Sequence, residues 1–284
     1  MKVALLTPAP DYPEAWDWAF GVEADVLRAA GIDVVALPWT ELGPDHGCDL
    51  VLPLVAWGYN FDYPRWLALL DRAEAEGWPL LNPPALLRWN GDKAYLEELG
   101  AKGIPTVPTV EVAALDPATL ADAGARLGDP DMLVVKPPIS GGAEGTYKLA
   151  RGADMPPDVA GRRMMVQPFQ PTIANGEWSL ILFGGDLSHC ILKTPKAGDF
   201  RVQPHLGGID TPCVPPAGAL DLARAALAAA PAPALYVRVD LIADEDGALK
   251  LMELELIEPA LFLHHAPDGG AAFASAVLAE GARQ

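Results

Sequence analysis

Two runs of alternating apolar residues, Leu235–Ala243 and Leu249–Ile257, flank the dipeptide Asp246-Gly247. Side chains alternate faces along a strand, and Asp-Gly is a strong signal for a tight hairpin turn. The segment therefore predicts an antiparallel hairpin. Its apolar face carries Val237, Val239 and Leu241 with Met252, Leu254 and Leu256, and its opposite face carries Arg238 and Asp240 with Glu253 and Glu255. Counting outward from a two-residue turn pairs Glu245 with Ala248, Asp240 with Glu253, and Arg238 with Glu255. Like charges opposed across a ladder destabilise it unless a cation offsets them. Oxygen ligands without His or Cys favour Mg²⁺ or Mn²⁺, which makes Asp240, Glu253 and Glu255 candidate metal ligands. The alternative is an ordinary solvated strand face. It is opposed by Leu251 and Ile257, which flank the glutamates on their own face, and by the mirrored Arg238 and Asp240.

A second candidate segment runs from Leu133 through Lys136-Pro-Pro-Ile-Ser140-Gly-Gly-Ala-Glu-Gly145-Thr146. It places a lysine at the end of a buried strand and a glycine-rich loop after it. Glycines let backbone N–H groups approach phosphate oxygens, and an ammonium supplies a compact charge. The loop lacks the Gly-Lys-Ser/Thr ending of a P-loop, and alone it could equally be a mobile hairpin connection. The chain carries a net charge of −18 and only eight lysines, four of which (Lys93, Lys136, Lys193, Lys196) fall in segments where an anion would need them. That charge argues against a nucleic-acid or anionic-membrane partner.

The first third alternates strand and helix signals: strands at Val3–Leu6, Ile32–Leu37 and Leu50–Val55, helices at Glu14–Ala30 and Arg65–Glu76, each helix stopped by glycine. This rhythm predicts a parallel sheet covered by helices, without the Gly-x-Gly-x-x-Gly dinucleotide fingerprint. After Asn82-Pro83-Pro84 come a helix at Lys93–Gly103, strands at Met132–Lys136, Met164–Phe169, Trp178–Phe183 and His189–Lys193, a helix at Ala217–Ala230, the hairpin, and a closing helix. The stretch Thr194–Pro216 is long and irregular, and within it Thr194–Gly208, with Lys196, Arg201 and His205, is a candidate lid. Three widely spaced cysteines argue against a disulfide framework. No signal peptide or membrane span is evident, so a cytoplasmic protein is expected. His264-His265 lacks a third ligand nearby in sequence and is read as packing at a helix start.

The succession Asn90-x-Asp-Lys93, Val-Val-Lys136-Pro, Ser140-Gly-Gly-x-x-Gly145-Thr146, Val-Gln167-Pro-Phe169, Gly176-Glu177, Arg238-x-Asp240 and Glu253-x-Glu255 resembles the ATP-grasp family. Leu81-Asn-Pro, Gly103-Ile-Pro-x-Val-Pro-Thr and Glu253-Leu-Glu-Leu-Ile-Glu-Pro look like a bacterial subgroup whose namesake is the cyclo-ligase that closes the ring of cycloserine. The resemblance implies an α/β fold of the ATP-grasp (α+β) kind: a Rossmann-like domain at 1–83, then two α+β subdomains, 84–168 and 169–284, gripping ATP. It further implies that Lys93 and Lys136 hold the α- and β-phosphates and that Ser140, Gly141, Gly142, Gly145 and Thr146 cover them. Gln167, Pro168, Phe169 and Gln170 would form the adenine hinge, and Glu177 would bind the ribose. Asp240, Glu253 and Glu255 would hold magnesium, with Arg238 and Lys193 at the transferring phosphoryl group. Glu255 stands where many relatives have asparagine, and Gln167 where many have a carboxylate.

The implied reaction joins a small-molecule carboxylate to an amine through an acyl phosphate, between molecules or as a ring closure. An ATP-dependent phosphotransferase and a non-catalytic nucleotide-binding protein are the alternatives. Arg201 in the lid and Trp57, Tyr59 and Asn60 after the third strand are the candidate substrate residues, each weighed against an ordinary loop arginine or aromatic packing. A homodimer is compatible with this kind of fold.

Overall fold

The computed structural model describes residues 1–283 and contains three sheets. The first is parallel, in the order β2-β1-β3, built from β1 (Lys2–Thr7), β2 (Asp33–Pro38) and β3 (Leu50–Leu52). Helices α1 (Asp17–Ala29) and α2 (Tyr63–Glu76) cover its two faces. Gly77 ends α2 in the left-handed conformation, φ 67°, which a residue without Cβ adopts at little cost. β1 is buried along almost its whole length, as a strand covered on both faces must be.

Two short helices, α3 (Pro84–Asn90) and α4 (Tyr95–Ala101), lead into a four-stranded antiparallel sheet of order β4-β7-β5-β6. Its strands are β4 (Val110–Val112), β5 (Met132–Lys136), β6 (Tyr147–Ala150) and β7 (Met164–Pro168), backed by α5 (Pro117–Arg126). A capping box starts α5: Asp116 accepts from the Thr119 N–H while the Thr119 hydroxyl accepts from Asp116 N–H.

The third sheet is antiparallel, five-stranded, in the order β10-β9-β8-β11-β12. It comprises β8 (Glu177–Phe183), β9 (Asp186–Thr194), β10 (Ile209–Pro212), β11 (Tyr236–Ala243) and β12 (Leu249–Glu255). Helix α6 (Ala219–Ala228) and α4 pack on one face through Leu222, Ala226, Leu96 and Leu99 against Val237, Val239, Leu254 and Leu256. The last helix, α7 (Ala271–Gly281), joins the first sheet instead. Phe273, Ala274 and Val277 share one core with Val3, Leu5 and Leu27.

The predicted hairpin forms, with a different turn. Asp244 N–H donates to Ala248 O and Gly247 N–H to Asp244 O, leaving a three-residue loop with Gly247 at φ 81°. That shifts the register by one residue, Ala243 facing Leu249 and Leu241 facing Leu251. A bulge then leaves Met252 without a partner, and beyond it Asp240 faces Glu253 and Arg238 faces Glu255, as counted from the sequence. The bulge also exchanges faces. Leu251, expected beside the glutamates, lies in the core, whereas Met252 turns to the other side with Ile242.

β12 is an edge strand, and its outer backbone is clasped by the segments before the second sheet. Asn90 Nδ2 donates to Leu254 O at 2.7 Å, and Leu256 N–H donates to Asn90 Oδ1 at 3.0 Å. The Tyr95 hydroxyl both donates to Leu254 O and accepts from Leu254 N–H. Val107 N–H donates to Leu251 O, and Leu251 N–H to Pro105 O. The strand that carries the glutamates is thus held on both edges, with the outer backbone groups of Leu251 and Leu254 and the Leu256 N–H satisfied.

Candidate active site

A cleft opens between the four-stranded and five-stranded sheets. From the first it takes Val134 and Lys136 on β5 and Gln167 and Pro168 on β7, together with the loop after β5. From the second come Arg238, Asp240 and Ile242 on β11 and Met252, Glu253 and Glu255 on β12. Alternation explains Val134 with Lys136, Arg238 with Asp240 and Ile242, and Glu253 with Glu255, since residues two apart point the same way.

One end of the cleft is apolar. Val107, Ile173, Val202 and Ile242 are buried together, with Phe169, Phe200 and Met252 packed on them. Phe169 and Phe200 meet edge to face with centroids 5.9 Å apart, and the Lys148 ammonium sits 4.4 Å from the Phe169 centroid. Beside this slot run Gln167–Gln170. Pro168 has no N–H and Phe169 N–H donates to Met132 O. Gln167 donates to the Thr109 hydroxyl at 2.8 Å.

The other end is charged. Lys93 Nζ donates to Ser140 O at 2.5 Å and lies 3.3 Å from Glu253 Oε1, so it bridges the glycine loop and β12. Lys136 is buried and forms no ion pair among the described residues. Burial pulls its pKa below the usual lysine value, with Lys93 adding to the effect. The Ser140–Thr146 loop lies over this end. Gly145, at φ 66°, is held so close to Pro137 that a Cβ would come within 2.9 Å of its Cγ. Gly142 abuts His205 of the 195–208 segment, whose ring carbon would lie 3.5 Å from an added Cβ.

The three hairpin carboxylates line the cleft, and each engages a basic partner: Lys93 for Glu253, and a shared Arg238 for Asp240 and Glu255. Arg238 donates to Asp240 at 3.0 Å and pairs with Glu255. Asp240 also accepts from the Ser179 hydroxyl at 2.5 Å and lies 3.1 Å from Lys193 Nζ. Burial opposes ionisation of Asp240, yet Arg238 and Lys193 outweigh it and hold the carboxyl well below the ordinary range. Burial raises Glu255 to about 7, Arg238 opposing and Glu253 assisting. Side-chain exposure ranks them: 30 % for Glu255, 26 % for Glu253 and 4 % for Asp240. Glu253 and Glu255 present free hard-oxygen surface and fit a small divalent cation. Asp240, with both oxygens engaged, is the least available of the expected three.

Two further candidates are engaged with each other inside the protein. Lys193 does not line the cleft; its ammonium is buried between Glu177, at 2.5 Å, and Asp240. Glu177, expected at a ribose, reaches the cleft wall but pairs with that lysine, and burial raises its pKa. Both follow from strand register, since Glu177 and Lys193 face each other across β8 and β9. Arg201 lines the cleft while forking onto its neighbour Asp199 at 2.9 and 3.1 Å. Of the substrate candidates, Tyr59 reaches the wall, but its ring packs on Trp66 at 5.3 Å. Trp57 and Asn60 are not among the lining residues; Trp57 stacks against Trp18 and Tyr12.

Several lining residues were missed by sequence reasoning. Met252 was assigned to the core because alternation cannot foresee a bulge. Glu258 closes the charged end near Gly141, and burial, aided by Glu255, raises its pKa to about 8. It lies past the end of β12, where strand counting stops. Asn90 was quoted in a motif, but its grip on β12 required the tertiary structure.

A family model described as "D-cycloserine synthetase DcsG, N-terminal domain" matches residues 3–82. The cycloserine biosynthesis protein DcsG of Streptomyces lavendulae is 29 % identical over 299 residues, covering 97 % of each chain. The crystal structure of D-cycloserine synthetase DcsG superposes with a TM-score of 0.83 at 26 % identity, over 99 % of this chain and 100 % of that one. The D-alanine–D-alanine ligase of Bacillus anthracis gives a TM-score of 0.72 at 16 % identity, over 100 % and 98 % of the two chains, a likeness of fold.

Proposed function

We propose that this chain, similar over nearly its whole length to the cycloserine biosynthesis protein DcsG, is an ATP- and magnesium-dependent carboxylate–amine ligase of the ATP-grasp kind. Its substrate in this reading is a small, amino-acid-like molecule, joined to an amine or closed into a ring. The observation that carries the proposal is the cleft's polarity: an apolar slot beside a strand hinge at one end, and lysines facing carboxylates at the other.

Adenine occupies the slot between Phe169, Ile242 and Met252 in this proposal, and Gln170 supplies the hinge N–H because Phe169 has already donated its own. Lys93 and Lys136 hold the phosphates under the Ser140–Thr146 loop. Glu253 and Glu255 hold the divalent cation, which neutralises phosphate charge, and Asp240 orients Arg238 behind them. A substrate carboxylate oxygen attacks the γ-phosphorus, giving an acyl phosphate and ADP. The amine nitrogen then attacks the acyl carbon, and phosphate leaves with the C–O electron pair. Positioning and charge stabilisation carry most of such a reaction. The Arg238 guanidinium reaches Glu255 at the cleft and suits that task. An acyl phosphate must be kept from water. The 195–208 segment, touching the glycine loop through His205, is the proposed cover. The same reading divides the chain at 1–83, 84–168 and 169–284.

The test is incubation with ATP, magnesium and a panel of amino acids. ADP appearing in step with free phosphate and an amide supports ligation. ADP with a stable phosphorylated product and no free phosphate would replace it with phosphotransfer. ATP binding without turnover on any panel member would leave a nucleotide-binding module.

A further inference from the structure

His264 and His265 are adjacent in the chain with no further histidine or cysteine near them in sequence. The fold supplies a partner. Asp210, on β10, meets the tight turn Leu263–His265, and the three side chains bring one donor atom each within 4.8 Å of one another. Asp210 Oδ2 lies 2.8 Å from His265 Nε2 and 3.6 Å from His264 Nε2. The two imidazoles are stacked at a tilt, with centroids 4.1 Å apart.

We propose that Asp210, His264 and His265 form a binding site for a divalent transition-metal ion of the zinc class, separate from the cation site of the cleft. Ligands at about 2.0–2.2 Å from a tetrahedral zinc ion stand roughly 3.3–3.6 Å apart. The observed carboxylate–imidazole separations bracket that range, so small side-chain rotations suffice to enclose an ion. Two imidazole nitrogens and one carboxylate oxygen select zinc, cobalt or nickel over magnesium. The cleft glutamates, with oxygen donors only, have the opposite preference. His264 is 60 % exposed at its side chain, while Asp210 and His265 are at 21 %. The position is therefore open to an incoming ion and leaves room for water as a fourth ligand. A bound ion would also fasten β10, which pairs with β9 alone and follows the 195–208 segment, to the turn just beyond Glu258.

The experiment strips the full chain with chelator and dialyses it against micromolar zinc in excess magnesium, without nucleotide. Retained zinc is measured, and cobalt is titrated separately to record its visible absorption. One zinc ion per chain is expected, undisplaced by magnesium, with a cobalt band typical of imidazole ligation. Asp210→Asn and the double variant His264→Ala with His265→Ala each weaken retention by at least about tenfold. Glu253→Gln with Glu255→Gln leaves it unchanged. Absence of retained zinc in the wild-type chain overturns the proposal. Equal retention by either site variant, or loss in the glutamate variant, does the same.

Discussion

Lys193 Nζ lies 2.5 Å from Glu177 Oε1, and the two residues are direct partners across β8 and β9. Asp240 Oδ2 completes the group from the neighbouring strand at 3.1 Å. Burial works against the charge on Lys193, but the two carboxylates outweigh it and raise its pKa. This lysine fixes the wall behind Arg238.

Replacing it with an apolar residue leaves the buried Glu177 carboxylate without its cation and removes one of the two that face Asp240. Lys193→Met is expected to cost about 3–5 kcal/mol of stability, read from urea unfolding. Adding Glu177→Gln recovers part of the loss, because the two positions are coupled. A loss below about 1 kcal/mol would be the behaviour of a solvated surface pair and would contradict the assignment.

Lys136 presents the reverse case. It is buried without an ion pair among the described residues, and burial depresses its pKa. Lys136→Met should therefore hold or raise the unfolding midpoint while weakening ATP binding by about tenfold or more, equivalent to ~1.4 kcal/mol. Calorimetric titration with ATP and thermal unfolding of the same variant check both halves. Unchanged ATP affinity would remove Lys136 from the phosphate site.

Asn90 holds β12 by two hydrogen bonds to its backbone. Asn90→Ala leaves Leu256 N–H without its partner, at a cost of about 1–3 kcal/mol. Amide exchange at Leu256 should accelerate selectively relative to β8. Equal protection in both proteins would show that the clasp is not what closes this edge.

Glu23 on α1 is buried, and its Oε2 has no hydrogen-bond partner among the described residues. Burial first, and then the charge of Glu258, raise its pKa well above the usual carboxylate range. The sign of the linkage follows. Below the unfolded pKa both states bind the proton and the group is neutral in its effect. Above it the unfolded chain releases the proton while the folded chain retains it, so stability falls with rising pH. Glu23→Gln should accordingly stabilise the protein at pH 8 relative to wild type, with the difference fading toward pH 4.5. A difference independent of pH would show that the carboxyl is solvated.

The hairpin shows what the sequence could and could not convey. The pairing of Asp240 with Glu253 and Arg238 with Glu255 was legible because apolar alternation fixes which residues share a face. It survived an incorrect turn because a bulge at Met252 restored the count. A bulge has no signature in alternation, so the exchange of Leu251 and Met252 between core and cleft was hidden. The parallel first sheet and the lysine at the end of β5 were legible for local reasons, namely buried runs and glycine stops. Asn90, Glu258 and the pairing of Lys193 with Glu177 depend on residues brought together from separate elements, and no local period encodes them. Asp210 and the two histidines were hidden for the same reason.

The placement of α7 has a consequence for how the chain is made. Its side chains finish the cluster begun by β1 and α1, so during synthesis the opening sheet remains unsealed on that flank until the ribosome has delivered residues near 281. Vectorial, domain-by-domain folding from the amino end is therefore blocked at its first step, and a nascent chain stalled before Phe273 would carry an apolar wound that invites chaperones.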